Sequence, residues 1–366
     1  MKRSKKKKEK KPKDKVVGIG KGIISDVRKG MNPKLDVPIR ALSNVIFDAK
    51  KKLLVMGDKT SSRFFFNVAH VRKFVQTMEV AATAKELLDA KKHISLRQAF
   101  YKMRRTIPGT NIDIVDEQKE SNDAVEDLEL LTGLSREQLH INANKNGAAA
   151  GKIVIKDKGD LINWSKLGSG GWAIPSNTED IEFKKVDAKF IIYMEKMAMW
   201  ERLHEDRVWD KMNCVIIASQ GQATRGIRRL LQRMNKELKL PVYVLVDNDS
   251  WGVYIYSVLK FGSISLAYAS DKLAIPSAKL IGLTCDDIIK YNLKKHIIKF
   301  KDVDKKRLEQ IGKYDWFKDN KAWQRQFKMM KQQGGKVELD ALVAKGVSFI
   351  SDVYLPEKIK KRDFLD

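Results

Sequence analysis

The 366-residue chain predicts an α/β protein: a Rossmann-like parallel sheet in the C-terminal half, preceded by an α+β part that ends in a winged helix. Three observations carry this. From residue 190 onward, unbroken apolar runs (Phe190–Met194, Cys214–Ala218 and Val242–Val246) alternate with helical stretches. Strands apolar on both faces belong to a sheet that helices cover on both sides. Between Val71 and Leu131 three helical patterns follow one another, and Gly147–Ile155 adds a turn and a strand, the order of a winged relative of helix-turn-helix DNA readers. The length itself calls for two domains and an extension.

The elements follow in order. Residues 1–16 are lysine-rich and read as a disordered basic tail. Residues 17–69 form an N-terminal extension with short strands at Asn44–Asp48 and Leu53–Asp58. The winged-helix domain, 70–160, opens with a helix over Val71–Ala90. A second helix starts at Ser95, where Ser95-Leu96-Arg97-Gln98 has the form of a capping box, and stops before Pro108-Gly109. A third covers Asn122–Leu131 and ends at Thr132-Gly133. Residues 161–184 hold Gly168, Gly170 and Gly171 but lack the Gly-Lys-Ser/Thr of a phosphate loop, so they read as a linker. In 185–366 the three apolar strands are separated by helices reaching Lys211 and spanning Arg228–Leu238. Trp251–Phe261 is helical, Ile264–Tyr268 reads as a further strand, and the remainder is mostly helical.

The charge narrows the function. Residues 1–15 carry ten Lys or Arg against Glu9 and Asp14, a net +8, which leaves +18 of the total +26 on the rest of the chain. Such an excess on folded domains points to a polyanion, bound with release of its counterions. Nucleic acid is favoured over a membrane surface, because no basic helix offers an exposed apolar face. No run approaches the roughly 18 to 20 apolar residues of a membrane span, and the N-terminus has no signal-peptide core, so a cytosolic protein is expected. Cys214 and Cys285 form no CxxC pair and read as buried thiols.

The chemistry centres on Asp247-Asn248-Asp249, at the end of one apolar run, and Glu195, at the end of another. Residues just past the carboxyl ends of parallel strands converge on one crevice. Hard oxygen ligands without His or Cys select Mg²⁺ or Mn²⁺ over zinc, and magnesium shares its shell with phosphate oxygens. Asp-x-Asp after a strand also serves as a plain helix cap and turn; the matching Glu195 favours the metal. Aspartyl-phosphate phosphatases begin similarly, and Asp286-Asp287 would be their later acidic pair. They want Thr or Val two residues after the second Asp, where this chain has Trp251. Tyr101 is a further candidate. Positions 97, 101 and 105 share one helix face, which sets Arg97 and Arg105 one turn either side of the Tyr101 hydroxyl. Neighbouring guanidinium groups favour a phenolate and hold phosphate. From spacing alone, a half-buried tyrosine between solvated arginines is the simpler reading.

Leu96-Arg97-Gln98-Ala99-Phe100-Tyr101, Glu195, Gly221-Gln222 with Arg228, and Asp247-Asn248-Asp249-Ser250-Trp251-Gly252 resemble, in order, the motifs of the family of A subunits of archaeal DNA topoisomerase VI. The meiotic double-strand-break protein of eukaryotes belongs to it too. The likeness extends from about residue 35 to the C-terminus and includes Gly171–Ser176 and Val253–Ser257. It implies a winged-helix (CAP-like) domain carrying the nucleophile and a Toprim domain, the Rossmann-like part, holding the metal. Tyr101 would attack a DNA phosphate and join the 5′ end, with Arg97 assisting. Glu195, Asp247 and Asp249 would bind Mg²⁺, with Mn²⁺ as a substitute. The resemblance also implies a homodimer in which the tyrosine of one protomer meets the metal of the other. An ATPase B subunit of the GHKL type, docked on the N-terminal extension, would bind ATP and complete an A2B2 heterotetramer on double-stranded DNA in the cytoplasm, at the nucleoid.

Arg105, Arg225, Arg228 and Arg229 are candidates to line the DNA groove, although arginines on helices are more often merely solvated. Two departures stand out: Ala223-Thr224 where the family commonly has Pro-Asp, and Ser250 where Pro is common. Two other classes stay open, a Toprim nuclease or double-strand-break protein acting without strand passage, and a basic DNA-binding protein whose acids are structural.

Overall fold

The computed structural model describes residues 10–366, which divide into two compact units, one of residues up to Asn44 with Met56–Asn144, the other of Val45–Val55 with Lys145–Asp366. Residues 1–9, most of the expected disordered tail, lie outside the described residues. The tail does not extend to residue 16, because a helix, α1 (Pro12–Arg28), starts earlier, with Pro12 in its first turn and Val16 buried.

In the first unit β1 (Lys34–Pro38) pairs antiparallel with β4 (Thr60–Phe64). Between them in sequence lies the hairpin of β2 (Val45–Asp48) and β3 (Leu53–Met56), most of which is counted with the second unit. The helices α2 (Val68–Ala90), α3 (Leu96–Met103) and α4 (Gln118–Thr132) follow. A two-residue strand β5 (Ile94–Ser95) pairs parallel with β6 (Ile141–Asn142). The core is built from one face of each helix: Val80, Ala84 and Leu87 of α2, Ala99, Phe100 and Met103 of α3, and Ala124, Val125 and Leu128 of α4. Gly133, with φ of 65°, ends α4 in the left-handed conformation that glycine adopts without a Cβ penalty.

The turn and strand at Gly147–Ile155, expected as the wing of this unit, lie elsewhere. β7 (Ala148–Gly151) is a strand of the six-stranded sheet, and β8 (Ile153–Asp157) joins β9 (Asp160–Asn163) and a later strand, β11 (Glu182–Val186), in a three-stranded sheet. The reason is side-chain size. Ala148, Ala149, Ala150 and Gly151 are all buried, and a Cβ on Gly151 would strike Val215. The expected glycine linker is also partly sheet: β10 (Trp172–Ala173) pairs with β7, and Trp172 stacks on Trp164.

The second unit holds the predicted α/β core. β12 (Ile191–Met194), α5 (Met197–Glu205), α6 (Val208–Lys211), β13 (Val215–Ala218), α7 (Arg225–Leu238), β14 (Val242–Leu245) and α8 (Ser250–Phe261) match the alternation read from the apolar runs. Residues Ile264–Ala269 form a 3₁₀ helix rather than the expected strand; the short helix α9 (Ser270–Leu273) then leads to β15 (Lys279–Gly282), which adds to β14. The sheet order is β10-β7-β13-β12-β14-β15, with β13, β12, β14 and β15 parallel and β7 and β10 antiparallel at one edge. β12, β13 and β14 are almost wholly buried, as their unbroken apolar sequences require. The chain goes from β12 to one side and then returns to the other, so the order reverses beside β12, and a crevice opens at the carboxyl ends of β12 and β14.

The acidic segment after β14 is pinned from two sides. Asn248 exchanges backbone hydrogen bonds with Val337, and its side chain donates to the Leu283 carbonyl at 3.0 Å. Gly252 in the first turn of α8 comes so close to the Asp247 carbonyl that a Cβ would strike it. Gly252→Ala is therefore expected to cost about 1–3 kcal/mol, the range for overpacking a tight site, seen as a lowered thermal unfolding midpoint. An unchanged midpoint would show that the close approach is not needed.

Candidate active site

Glu195 follows the last residue of β12, and Asp247 stands two residues past β14; Met194 and Leu245 are register partners, so the parallel pairing brings the two acids to the same end of the sheet. The Glu195 carboxyl is half-buried and accepts no hydrogen bond or ion pair among the described residues. Burial and then the charges of Asp247 and Asp249 push it up to about 7. Asp247 is raised by burial, against the opposing effect of the Leu339 N–H, which donates to Oδ1 at 2.8 Å, and of the Lys196 ammonium, 2.9 Å from Oδ2. Asp249 is raised by burial as well, and its Oδ1 accepts from the Gly252 N–H at 2.6 Å, so it caps α8. The cap reading and the metal reading thus meet in one residue.

The donor set suits a hard divalent cation: three carboxylates at strand ends, one of them without a partner. Among the described residues, no three His, Cys, Asp or Glu side chains are gathered closely enough to hold an ion as they stand. Beside them stands Lys196, whose ammonium contacts Asp247, Glu338 at 2.9 Å and Asp340 at 2.8 Å. Burial opposes that charge, but the hydrogen bonds to Asp340, Glu338 and Asp247 outweigh it and hold Lys196 above the usual lysine range. Sequence reading missed Lys196, Glu338 and Asp340. The one available signal was that Lys196 adjoins Glu195.

In the other unit, the predicted capping box at Ser95 is present: Ser95 Oγ accepts from the Gln98 N–H at 3.1 Å and Gln98 Oε1 accepts from the Ser95 N–H at 2.8 Å. This fixes the start of α3, which buries Ala99, Phe100 and Met103 and leaves Tyr101 57% exposed. Arg97 Nη2 donates to the Tyr101 hydroxyl at 3.2 Å, its guanidinium 5.3 Å from the ring centre. Arg105 turns instead to Glu79, at 2.6 Å.

Of the remaining arginines, Arg228 departs from the expected groove lining, while Arg225 and Arg229 are half-buried and engaged with neighbouring side chains. Arg228 is only 2% exposed; its Nε donates to the Leu273 carbonyl at 3.3 Å, and burial together with the Arg225 charge lowers it to about 10. It faces inward because α7 packs that side against α9, whose last residue is Leu273. Arg229 holds Glu179 through two nitrogens, at 2.6 and 2.8 Å, and Arg225 donates to the Tyr268 hydroxyl at 2.7 Å. Cys214 and Cys285 are buried and free, as expected. The acidic pair that a phosphatase would need is engaged elsewhere: Asp286 with Arg325 at 2.6 Å, and Asp287 with the buried Lys358 at 2.9 Å.

Three family descriptions match consecutive stretches: "Type IIB DNA topoisomerase" over 72–141, "All-beta domain in DNA topoisomerase VI alpha subunit" over 144–187, and the Toprim domain of the topoisomerase 6 A subunit and Spo11 over 190–359. The A subunit of type 2 DNA topoisomerase 6 from Pyrococcus abyssi is 46% identical over 94% of this chain and 92% of that protein. The chain belongs to the family of topoisomerase 6 A subunits and Spo11. The corresponding A subunit of Hyperthermus butylicus is 39% identical, covering 94% of each chain, and that of Methanocaldococcus jannaschii 34%, covering 95% and 94%. The all-β description accounts for the displaced wing, since β7 to β11 fall inside it, and within this Toprim domain Glu195 and Asp247 occupy the strand ends beside the reversal of strand order.

From the ordinary value of 4.5 to about 7 the folded chain keeps more proton on Glu195 than the unfolded chain does, so this residue's contribution to stability falls as pH rises through that window. Asp249→Asn keeps a capping oxygen and removes one of the charges that raise Glu195. The Glu195 carboxyl ¹³C titration in the metal-free protein should have a midpoint near 7 in the wild type and lower in Asp249→Asn. An unmoved midpoint would separate the two residues.

Proposed function

We propose that the chain breaks and reseals both strands of duplex DNA through Tyr101, with a divalent cation, Mg²⁺ or in its place Mn²⁺, held at Glu195, Asp247 and Asp249. Membership of the family makes it the DNA-cleaving subunit of a type IIB topoisomerase, an isomerase. The observation that carries the residue assignment is the exposed Tyr101 hydroxyl with the Arg97 guanidinium bonded to it.

The step is a transesterification. The Tyr101 oxygen attacks phosphorus, a phosphotyrosyl bond forms at the 5′ end, the bond to the 3′ oxygen breaks, and the phenolic proton is passed on as the 3′ oxygen leaves and takes one up. Arg97 lies where it can hold a non-bridging phosphate oxygen and stabilise the phenolate. A bound divalent cation would supply positive charge to the developing 3′ oxyanion. Because the phosphotyrosyl bond keeps the energy of the bond it replaced, the 3′ hydroxyl reverses the step without nucleotide.

Cutting two strands takes two tyrosines, hence a symmetric dimer, with the tyrosine of one protomer working at the carboxylates of the other. An ATPase B subunit, docked on the N-terminal extension, would supply the nucleotide-driven opening in an A2B2 assembly, at the nucleoid in the cytoplasm. The winged-helix assignment of the first unit belongs to the same reading: α3 would carry the nucleophile, with strands other than the expected 147–155 hairpin serving as the wing. No helix among the described residues is long and apolar enough to cross a membrane.

Tyr101→Phe should abolish protein attached to DNA 5′ ends while leaving DNA binding, and full cleavage by that variant would remove the covalent mechanism. Arg97→Ala should slow cleavage roughly 10²-fold, the usual effect of deleting one donor to a developing charge. The arrangement in trans has a sharper test. Mixed dimers of Tyr101→Phe and Asp247→Ala chains retain one intact site if tyrosine and carboxylates come from different protomers, and should nick one strand of supercoiled DNA. Absence of nicking, with each parent inactive, would place both groups in one chain.

A further inference from the structure

The ammonium of Lys196 stands where a cation is needed. All three of its N–H groups are spent on carboxylates, at 2.9 Å from Asp247 Oδ2, 2.9 Å from Glu338 and 2.8 Å from Asp340. Asp247 in turn has Oδ1 taken by the Leu339 N–H and Oδ2 by Lys196. Glu195, the residue before Lys196, has no donor among the described residues. The partners of Lys196 beyond Asp247 are held by the backbone: Val337 pairs with Asn248, so Glu338 and Asp340 lie on a segment tied to the acidic motif itself.

We propose that Lys196 is the resident counter-ion of Asp247 and competes with the divalent cation for it. When the cation binds, Lys196 releases Asp247 and stays anchored on Glu338 and Asp340. Three features of the geometry favour exchange over simple coexistence. A monovalent ammonium and a divalent ion sharing one carboxylate repel each other at short range in a partly buried place. Asp247 keeps its orientation through Leu339 when Lys196 lets go. The two remaining partners of Lys196 are enough to hold it nearby, so the exchange needs a side-chain movement and not a backbone one. Glu338 and Asp340 are thereby positioning residues, acting on the cation site through Lys196.

This inference rests on the assignment of the cation to Glu195, Asp247 and Asp249, and the test separates the two. Mn²⁺ binding to the full chain without DNA is followed by electron paramagnetic resonance for wild type, Lys196→Met, Lys196→Gln and Lys196→Arg, with thermal melting to confirm folding. Removing the competing charge should tighten Mn²⁺ roughly tenfold in the Met and Gln variants, a modest share of what a unit charge at such range exerts. Gln keeps a hydrogen-bond donor and carries the test should Met fail to fold. The Arg variant, with its charge retained, should stay within about threefold of wild type. A merely structural lysine would loosen the ion when lost, or leave it unchanged. Mn²⁺ bound by wild type but no tighter in the Met and Gln variants overturns the competition alone. If wild type and variants all bind no Mn²⁺, the cation assignment falls and the competition with it. Loss of the signal in Glu195→Ala and Asp249→Ala would tie the ion to these acids.

Discussion

The reversal of strand order beside β12 is the constraint on which the candidate site depends. Because β13 lies on one side of β12 and β14 on the other, the loops leaving β12 and β14 cannot close over each other, and the acids at their starts share one crevice. Nothing local in either strand requires this. The strands are ordinary buried apolar runs, and it is the path of the chain between them that turns two separate carboxylates into neighbours. The electrostatic consequence is a cost: carboxylates raised by burial and by one another. That tension is tolerable because the sheet is packed on both faces, and because Lys196, the Leu339 N–H and the Gly252 N–H each relieve part of it.

What could be read from the sequence was what depends on neighbours along the chain. The capping box at Ser95 needs four consecutive residues, and the face shared by Arg97 and Tyr101 needs one helical turn. The buried strands announce themselves by unbroken apolar runs. The unread parts depend on distance. Glu338 meets Lys196 across 142 positions, and no periodicity links them. β7 reads as a wing because Ala-Ala-Ala-Gly lacks the bulky apolar side chains of the other runs; its smallness suits a closely packed strand between β10 and β13. The 161–184 stretch reads as a linker because glycine marks both flexibility and tight packing. Here Gly171, with φ of 60°, would strike Trp200 if it carried a Cβ.

Arg228 shows the limit of reading charge as surface. A basic helix in a basic protein suggests a nucleic-acid face, yet α7 turns Arg228 inward, where burial lowers it to about 10 and it still stays cationic near neutrality. Its only hydrogen bond among the described residues is to the Leu273 carbonyl, so no anion compensates it. A buried cation without a carboxylate is costly, and its Nη2 has no partner among the described residues. The net basicity of the chain therefore overstates what it presents to a polyanion.

The two halves of the proposed chemistry are built to opposite standards. The acids sit on the rigid end of a buried sheet, with Asp247 and Asp249 oriented by backbone N–H groups and Lys196, which suits groups that must hold charge in a fixed place. Tyr101 has the reverse character: exposed, on an eight-residue helix, with one guanidinium as its hydrogen-bond partner. A nucleophile so placed is unhindered, with Arg97 to stabilise a phenolate but, among the described residues, no base beside it to take the phenolic proton. If tyrosine and carboxylates come from different protomers, as proposed, cleavage would be conditional on assembly, and neither protomer alone would carry a complete site. The same logic applies within the acidic site, where the Asp247 carboxylate that a cation would use is held by Lys196. A chain that must break both strands and always reseal them gains from parts that are harmless separately.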